Sequence, residues 1–102
     1  MRGRSFLSRS AKASATVTCE HLAAAPAEAQ PRNEEGCPDC LKIGFHDWVH
    51  LRICLDCGMV GCCDSSPYQH ATVHYNETGH PVMRSFEPGE TWRWCFVDEL
   101  IG

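Results

Sequence analysis

The sequence contains no long run of apolar residues and no excess of positive charge. Its apolar stretches are far shorter than the ~20 residues that a transmembrane helix needs, so nothing indicates a membrane span. The net charge is −4 with the histidines neutral, whereas nucleic-acid-binding modules usually carry a basic patch that neutralises phosphates. We therefore expect a protein that binds neither nucleic acid nor a membrane.

The N-terminal segment also lacks the apolar core of an export signal. In MRGRSFLSRSAKASATVT, Ser and Arg flank the pair Phe6-Leu7 on both sides, where a signal peptide has a continuous apolar region. Residues 1–17 are basic, serine-rich and free of acids, a composition that fits a transit peptide but is more typical of an unstructured tail. We expect a disordered basic tail at 1–17, one domain at 18–102, and a cytoplasmic protein whose thiols stay reduced.

Four segments are predicted to form strands. Residues 47–53 alternate apolar and polar side chains as a half-buried strand does, and a second strand begins at Met59 after a glycine turn. The segments PVMRSF and TWRWCFV predict two more strands, separated by the turn EPGE.

One segment, SSPYQHATVHYNETG, predicts a helix. Ser66 is the expected N-cap, Gln69 completes a capping box, and Gly79 is the expected C-cap. The predicted fold class is therefore α+β: a small zinc-stabilised domain in which a short antiparallel sheet carries one principal helix. The zinc follows from the cysteines.

The sequence is rich in cysteine, with eight among its 102 residues. Cys37-Pro-Asp-Cys40 and Cys54-Leu-Asp-Cys57 have the spacing with which two sulfurs bind one tetrahedral zinc ion. A redox dithiol would have the same spacing, but it is normally followed by a helix in a βαβ unit. Here a turn or a strand is expected after each pair, so the pairs favour structural zinc.

Histidines follow the second cysteine pair at spacings that suit ligands. His70 and His74 are four residues apart, so they share one face of the predicted helix. A lone histidine at such a position is more often an ordinary core or surface residue, but three histidines near two cysteine pairs favour metal binding. The further candidate ligands, whose pairing the spacing alone leaves open, are Cys19, His21, Cys62, Cys63, His70, His74, His80 and Cys95.

The stretch LRICLDCGMVGCCDSSPYQHATVHYNETGHP, with the later TWRWCF, resembles the ubiquitin-protease-type (UBP-type) zinc finger, and in particular its stand-alone bacterial copies. The resemblance implies three interleaved zinc sites. The first would consist of Cys37, Cys40, Cys62 and His70, and the second of Cys54, Cys57, His74 and His80. The third would consist of Cys19, His21, Cys95 and Asp98. Asp98 stands where the family has a cysteine, and a carboxylate is an acceptable zinc ligand.

Many members of this family hold the C-terminal Gly-Gly of ubiquitin in a pocket beside the zinc ions. The resemblance implies an arginine as the carboxylate anchor, but this chain has Asp64 there. Arg52 stands at the position of a covering tryptophan, Phe96 replaces a tyrosine, and Trp94 is retained. An anion at the anchor repels a terminal carboxylate, so ubiquitin is not the expected partner.

We therefore expect an interaction module, not an enzyme, that binds three structural zinc ions and an unknown protein or peptide tail. Its expected peptide pocket consists of Arg52, Asp64, Trp94 and Phe96. The alternatives are ubiquitin Gly-Gly binding and a metal-dependent hydrolase, in which Asp98 leaves the ion and acts as a base. Two further interpretations concern single residues: Asp64 as a helix cap, and Cys63 as a thiol sensor instead of a packed side chain.

Overall fold

The computed structural model describes residues 19–102, so the tail expected at 1–17 lies outside the described residues. In this part of the chain the residues form three short helices and five strands. In chain order these are α1 (Glu20–Ala24), α2 (Pro38–Lys42), β1 (Leu51–Cys54), β2 (Val60–Cys62), α3 (His70–Thr78), β3 (Val82–Ser85), β4 (Arg93–Cys95) and β5 (Leu100–Ile101). Within residues 19–102, every helix is too short or too polar to cross a bilayer.

The strands form one antiparallel sheet in the order β2-β1-β3-β4-β5. The predicted α+β class and its four strands are confirmed. β5 was not predicted, because two residues are too few to show an alternating pattern. It follows a tight turn in which Glu99 has a φ of 56°, and it pairs with β4.

The predicted start of the principal helix is wrong, whereas its end is confirmed. α3 begins at His70 instead of following Ser66, because Ser66 is buried and its Oγ accepts a hydrogen bond of 2.8 Å from the Val49 N–H. Gln69 occupies the N-cap position with a φ of 49°. Its side chain makes no capping hydrogen bond to the helix within the described residues. Gly79 is the C-cap with a φ of 76°, a conformation that glycine adopts without strain.

The first cysteine pair lies at a short helix that was not predicted, and the turn expected after the pair begins at Ile43. α2 holds Cys40 and begins at Pro38, whose ring is well suited to a first helical turn. Both sulfurs of the pair still lie together, each 3.2 Å from His70 Nδ1.

The core is divided into three clusters, and each contains cysteines. One lies under α1 and includes Leu22, Val82 and Cys95. A second lies under α3 and includes Met83 and Cys54. The third consists of the buried cysteines Cys37, Cys40 and Cys62, with Phe45, Trp48 and Leu51 packed against them. A chain with so few large apolar side chains in its interior depends on whatever holds these cysteines together.

Gly61 sets the distance between α3 and the sheet. A Cβ at this position would lie 2.8 Å from the Ala71 backbone nitrogen, which is closer than packed atoms allow. The missing side chain therefore lets the first turn of α3 approach β2 closely, with His70 beside the cysteines of the sheet.

Candidate metal centres and an adjoining cavity

The first centre lies between α2, β2 and the start of α3. It is formed by Cys37, Cys40, Cys62 and His70, whose donor atoms all lie within 4.8 Å of one another. The Sγ atoms of Cys40 and Cys62 are 3.7 Å apart. His70 Nδ1 lies 3.2 Å from the sulfurs of Cys37 and Cys40 and 3.5 Å from that of Cys62.

The second centre lies where β1 ends and α3 passes over the sheet. It is formed by Cys54, Cys57, His74 and His80, again with all donor atoms within 4.8 Å. Cys54 Sγ is 3.4 Å from His80 Nδ1, and Cys57 Sγ is 3.4 Å from His74 Nε2. α3 thus supplies one histidine to each of these two centres, because His70 and His74 are one helical turn apart.

The third centre joins the two ends of the described chain. Cys19 and His21, at α1, meet Cys95 at the end of β4 and Asp98 in the turn before β5. Asp98 Oδ2 lies 2.9 Å from Cys19 Sγ and 3.0 Å from His21 Nδ1. The side chains of His21 and Asp98 are 38% and 41% exposed, so this centre lies at the surface.

The donor atoms of all three groups fit zinc. With ligand distances of ~2.3 Å for sulfur and ~2.0–2.1 Å for nitrogen, the edges of a zinc tetrahedron are about 3.4–3.8 Å. The separations in the first two centres lie within or slightly below this range, and the third brings together two sulfurs, a nitrogen and a carboxylate oxygen. The three groups can each hold a zinc ion, as expected, and the assignment of individual residues as ligands stays a prediction.

Burial disfavours the thiolate form of several cysteines in the first two centres. Burial raises the pKa of Cys54 to about 11, and burial also raises the pKa of Cys40 and of Cys62. A buried thiolate is unfavourable without a neighbouring cation. A zinc ion supplies that positive charge and binds the thiolate form.

Asp98 behaves in the opposite way. Hydrogen bonds from Cys19 and then from His21 hold the pKa of the Asp98 carboxyl below its usual range. The carboxylate is therefore ionised at neutral pH, in the form that a metal ion binds.

A cavity of about 190 Å³ lies between α3 and the sheet. All four residues expected in the peptide pocket line it, namely Arg52, Asp64, Trp94 and Phe96. Sequence reasoning missed Trp92, which lines the same cavity. The signal was available in the motif Trp-Arg-Trp, since residues two apart in an extended segment point to the same side. That these residues form a peptide pocket stays a prediction.

Aromatic side chains form the walls of the cavity. The Arg52 guanidinium lies over the Trp92 ring, with Cζ 4.4 Å from the ring centroid. The rings of Trp94 and Phe96 meet edge to face at 6.4 Å, and Tyr75 stacks on Phe96 at 4.8 Å. Phe96 is therefore held between two rings, and Arg52 is held against a third.

Asp64 lies exposed at the same cavity and does not cap α3. Its Oδ1 accepts a hydrogen bond from the Thr72 hydroxyl, and its backbone oxygen accepts one from Gln69 Nε2 at 3.1 Å. Cys63 is buried beside it, with Sγ 3.7 Å from Ser66 Oγ. Among the described residues, Cys63 belongs to none of the three groups, and it lines the cavity.

A small α+β domain whose antiparallel sheet is surrounded by three groups of cysteine, histidine and aspartate donors has the features of a zinc-binding domain. The model of the family described as "Zn-finger in ubiquitin-hydrolases and other protein" matches residues 37–100. Because this match spans more than half of the chain, the chain belongs to that family, the UBP-type zinc fingers, and the resemblance is confirmed.

A solved structure supports the same conclusion. It is the solution NMR structure of a protein from Rhodopseudomonas palustris, 51% identical to this chain, with a TM-score of 0.73. The similarity covers 84% of this chain and 81% of that one, so the bacterial protein consists largely of this domain, as a stand-alone copy does. No curated protein matches the chain.

Proposed function

We propose that this domain is a zinc-structured interaction module that binds a protein or peptide tail other than the C-terminus of ubiquitin. The supporting observation is the cavity between α3 and the sheet, where Asp64 lies together with Trp94, Phe96 and Arg52. Aromatic walls with a few fixed polar groups are typical of ligand sites, because the walls supply contact area and the polar groups set orientation.

Asp64 decides which tail fits. Its hydrogen bond from Thr72 holds the carboxylate at the cavity. A carboxylate there repels the terminal carboxylate of a Gly-Gly tail and attracts a cation. The tail that we propose therefore presents a positive group to Asp64, either a basic side chain or a free amino terminus.

Arg52 gives the cavity a second charge of opposite sign. Its guanidinium lies on Trp92 and donates a hydrogen bond of 3.3 Å to the carbonyl of Leu51. A guanidinium has five N–H donors, so others remain for the carbonyl groups of a bound peptide. A tail that carries a basic group followed by peptide carbonyls would suit both Asp64 and Arg52 in this cavity.

We propose a structural role, not a catalytic one, for the zinc centres. A hydrolase would need an open coordination position, and the exposed third centre is where one would lie. There, Asp98 and the other three donor groups lie within 4.8 Å of one another, and four protein donors are the number that a structural zinc ion takes. Hydrolysis of ester and peptide substrates should be absent, and activity that disappears in Asp98→Ala would favour the hydrolase.

An NMR titration of the zinc-loaded protein tests the peptide proposal. A peptide ending in Gly-Gly should cause no saturable shifts, whereas a short lysine-containing peptide should shift the signals of Trp94 and Phe96. Asp64→Asn should abolish the second response, and Asp64→Arg should permit the first. Asp47→Asn is the matched control, because Asp47 is an exposed acid outside the cavity. Saturable binding of the Gly-Gly peptide to the wild type would overturn the proposal.

A further inference from the structure

The face of the sheet opposite the cavity carries two arginines side by side. β3 and β4 pair in a register that puts Arg84 directly across from Arg93. Because side chains alternate along a strand, Arg93 lies on the other side of the sheet from Trp94. Both arginines line a second cavity, of about 420 Å³, beside α1. Directly opposed like charges destabilise a strand pair, so this arrangement calls for a compensating anion.

The described part of the chain supplies no acidic side chain at contact distance. Among residues 19–102, no Asp or Glu carboxylate lies within 4.0 Å of either guanidinium. Residues 1–18 contain no Asp and no Glu, so the remaining segment of the sequence has no acidic side chain to offer.

Glu87 and Glu90, two acids that line a neighbouring cavity together with Arg84, are engaged in hydrogen bonds. Glu87 Oε2 accepts the Leu51 N–H at 2.8 Å, and Glu90 Oε1 accepts the Ser85 hydroxyl at 2.6 Å. Glu28 lines the arginine cavity itself. It would compete with a bound anion, and this competition provides one of the tests below.

Both guanidinium groups donate hydrogen bonds to main-chain oxygens, but neither uses all of its N–H donors. Arg93 Nη1 donates to the carbonyl of Leu22 at 2.9 Å and Nε donates to the carbonyl of Gly102 at 3.4 Å. Arg84 donates to the carbonyl of its neighbour Ser85 at 3.3 Å. Each guanidinium has five N–H donors, so most of the donors on both residues remain available in one cavity.

We propose that Arg84 and Arg93 form a binding site for a phosphoryl group, either free phosphate or a phosphate ester. Two guanidinium forks on paired residues that line one cavity could offer several N–H groups to one tetrahedral dianion, a ligand that arginine forks suit. The site lies on the other side of the sheet from the peptide cavity and depends on none of that cavity's residues. Either proposal can therefore fail without the other.

Titration of the zinc-loaded protein with inorganic phosphate, and separately with glycerol 2-phosphate, tests the site at constant ionic strength. The arginine Nε–H signals of Arg84 and Arg93 should shift saturably in NMR spectra. Arg84→Gln should weaken the affinity by about tenfold or more, as expected for the loss of one charge-assisted fork. Arg52→Gln is the matched control, because it removes the same charge from the opposite face and should leave the affinity unchanged.

Further variants separate an anion site from a simple surface charge. Arg93→Lys keeps the charge but loses the planar fork, so it should weaken phosphate binding while the protein stays folded. Glu28→Gln should strengthen binding if Glu28 competes with the ligand. A stronger response to the ester than to free phosphate would identify an ester as the ligand, and the reverse would identify the free ion. Shifts that fail to saturate, or equal losses in Arg84→Gln and Arg52→Gln, would overturn the proposal.

Discussion

The first and third metal centres have the same number of donors but different surroundings. The cysteines of the first centre, Cys37, Cys40 and Cys62, are fully buried and form one of the core clusters. In the third centre, His21 and Asp98 are each more than a third exposed. The first centre therefore replaces part of a hydrophobic core, whereas the third fastens the ends of the domain. Loss of an ion should have different consequences in the two places.

The largest effect is expected when the first centre loses a donor, as in Cys62→Ser. Zinc binding at such a site is folding energy, worth ~10 kcal/mol or more in small zinc domains, which compares with a total stability of ~5–15 kcal/mol. We expect loss of dispersed amide signals and a lower zinc content. Cys63→Ser is the control, because this neighbouring buried thiol belongs to none of the groups. A folded Cys62→Ser protein with its full zinc content would contradict the assignment.

A smaller effect, confined to the two centres that share α3, is expected for Gly61→Ala. The added Cβ would meet the Ala71 backbone and push back the helix that carries His70 and His74. Overpacking of this kind costs ~1–3 kcal/mol. Thermal unfolding and zinc-release rates measure it, and a variant as stable as the wild type would show that α3 adjusts freely. Gly89→Ala is the comparison for backbone strain alone, since no atom lies within 4 Å of its Cβ position but its φ is +80°, whereas Gly61 has no positive φ.

Asp98→Ala should remove one zinc ion and leave the domain folded. The third centre then loses its only oxygen donor, while the buried centres keep all of theirs. Elemental analysis measures the ion count, and amide spectra should change near α1 and β5 alone. Glu99→Gln, which alters the adjacent exposed acid, should change neither. If Asp98→Ala unfolded the protein, the distinction between an interior and a peripheral centre would fail.

The smallest effect concerns the titration of Asp98. Hydrogen bonds from Cys19 and then His21 hold the pKa of the Asp98 carboxyl below the usual ~4, and a zinc ion in this centre would shift it in the same direction, because the ion binds the carboxylate form. The contribution of Asp98 to stability is therefore present above the unfolded pKa and is lost as the pH falls through the lowered folded value. In carboxyl-carbon NMR, Asp98 should still be ionised at a pH where exposed acids have begun to protonate. His21→Gln should move its midpoint upward, and an Asp98 that protonates together with the exposed acids would contradict this.

Much of the zinc chemistry could be predicted from the sequence, because Cys-x-x-Cys pairs encode their geometry locally. Which distant donors share one centre could not be predicted from the spacing. Spacing alone left Cys19, Cys62 and Cys95 unassigned, and the family resemblance supplied the three groups that the structure brings together. The fold class could be predicted from the alternation in the strands and from the end of the helix. Gly79 marks that end because a single residue with a positive φ is enough to terminate a helix.

The errors arose where a residue's partner is remote in sequence. Ser66 has the residue type and spacing of an N-cap, but its hydroxyl serves Val49, 17 positions earlier. Asp64 resembled a cap, but it binds the side chain of Thr72. Trp92 was overlooked although its alternation with Trp94 placed it on the same face. For Ser66 and Asp64, tertiary contacts decided among local options that the sequence left equivalent, whereas Trp92 could have been found from the alternation.

The order of donors along the chain has a consequence for biosynthesis. All donors of the first centre have been synthesised once the ribosome has added His70, and those of the second once it has added His80. The third centre is complete only when Asp98 has been added, 79 positions after Cys19. Since closing a longer loop costs more entropy, the nascent chain should acquire its interior ions first. The last ion then binds to a domain whose interior has already folded, and it links the first helix to the last strand pair.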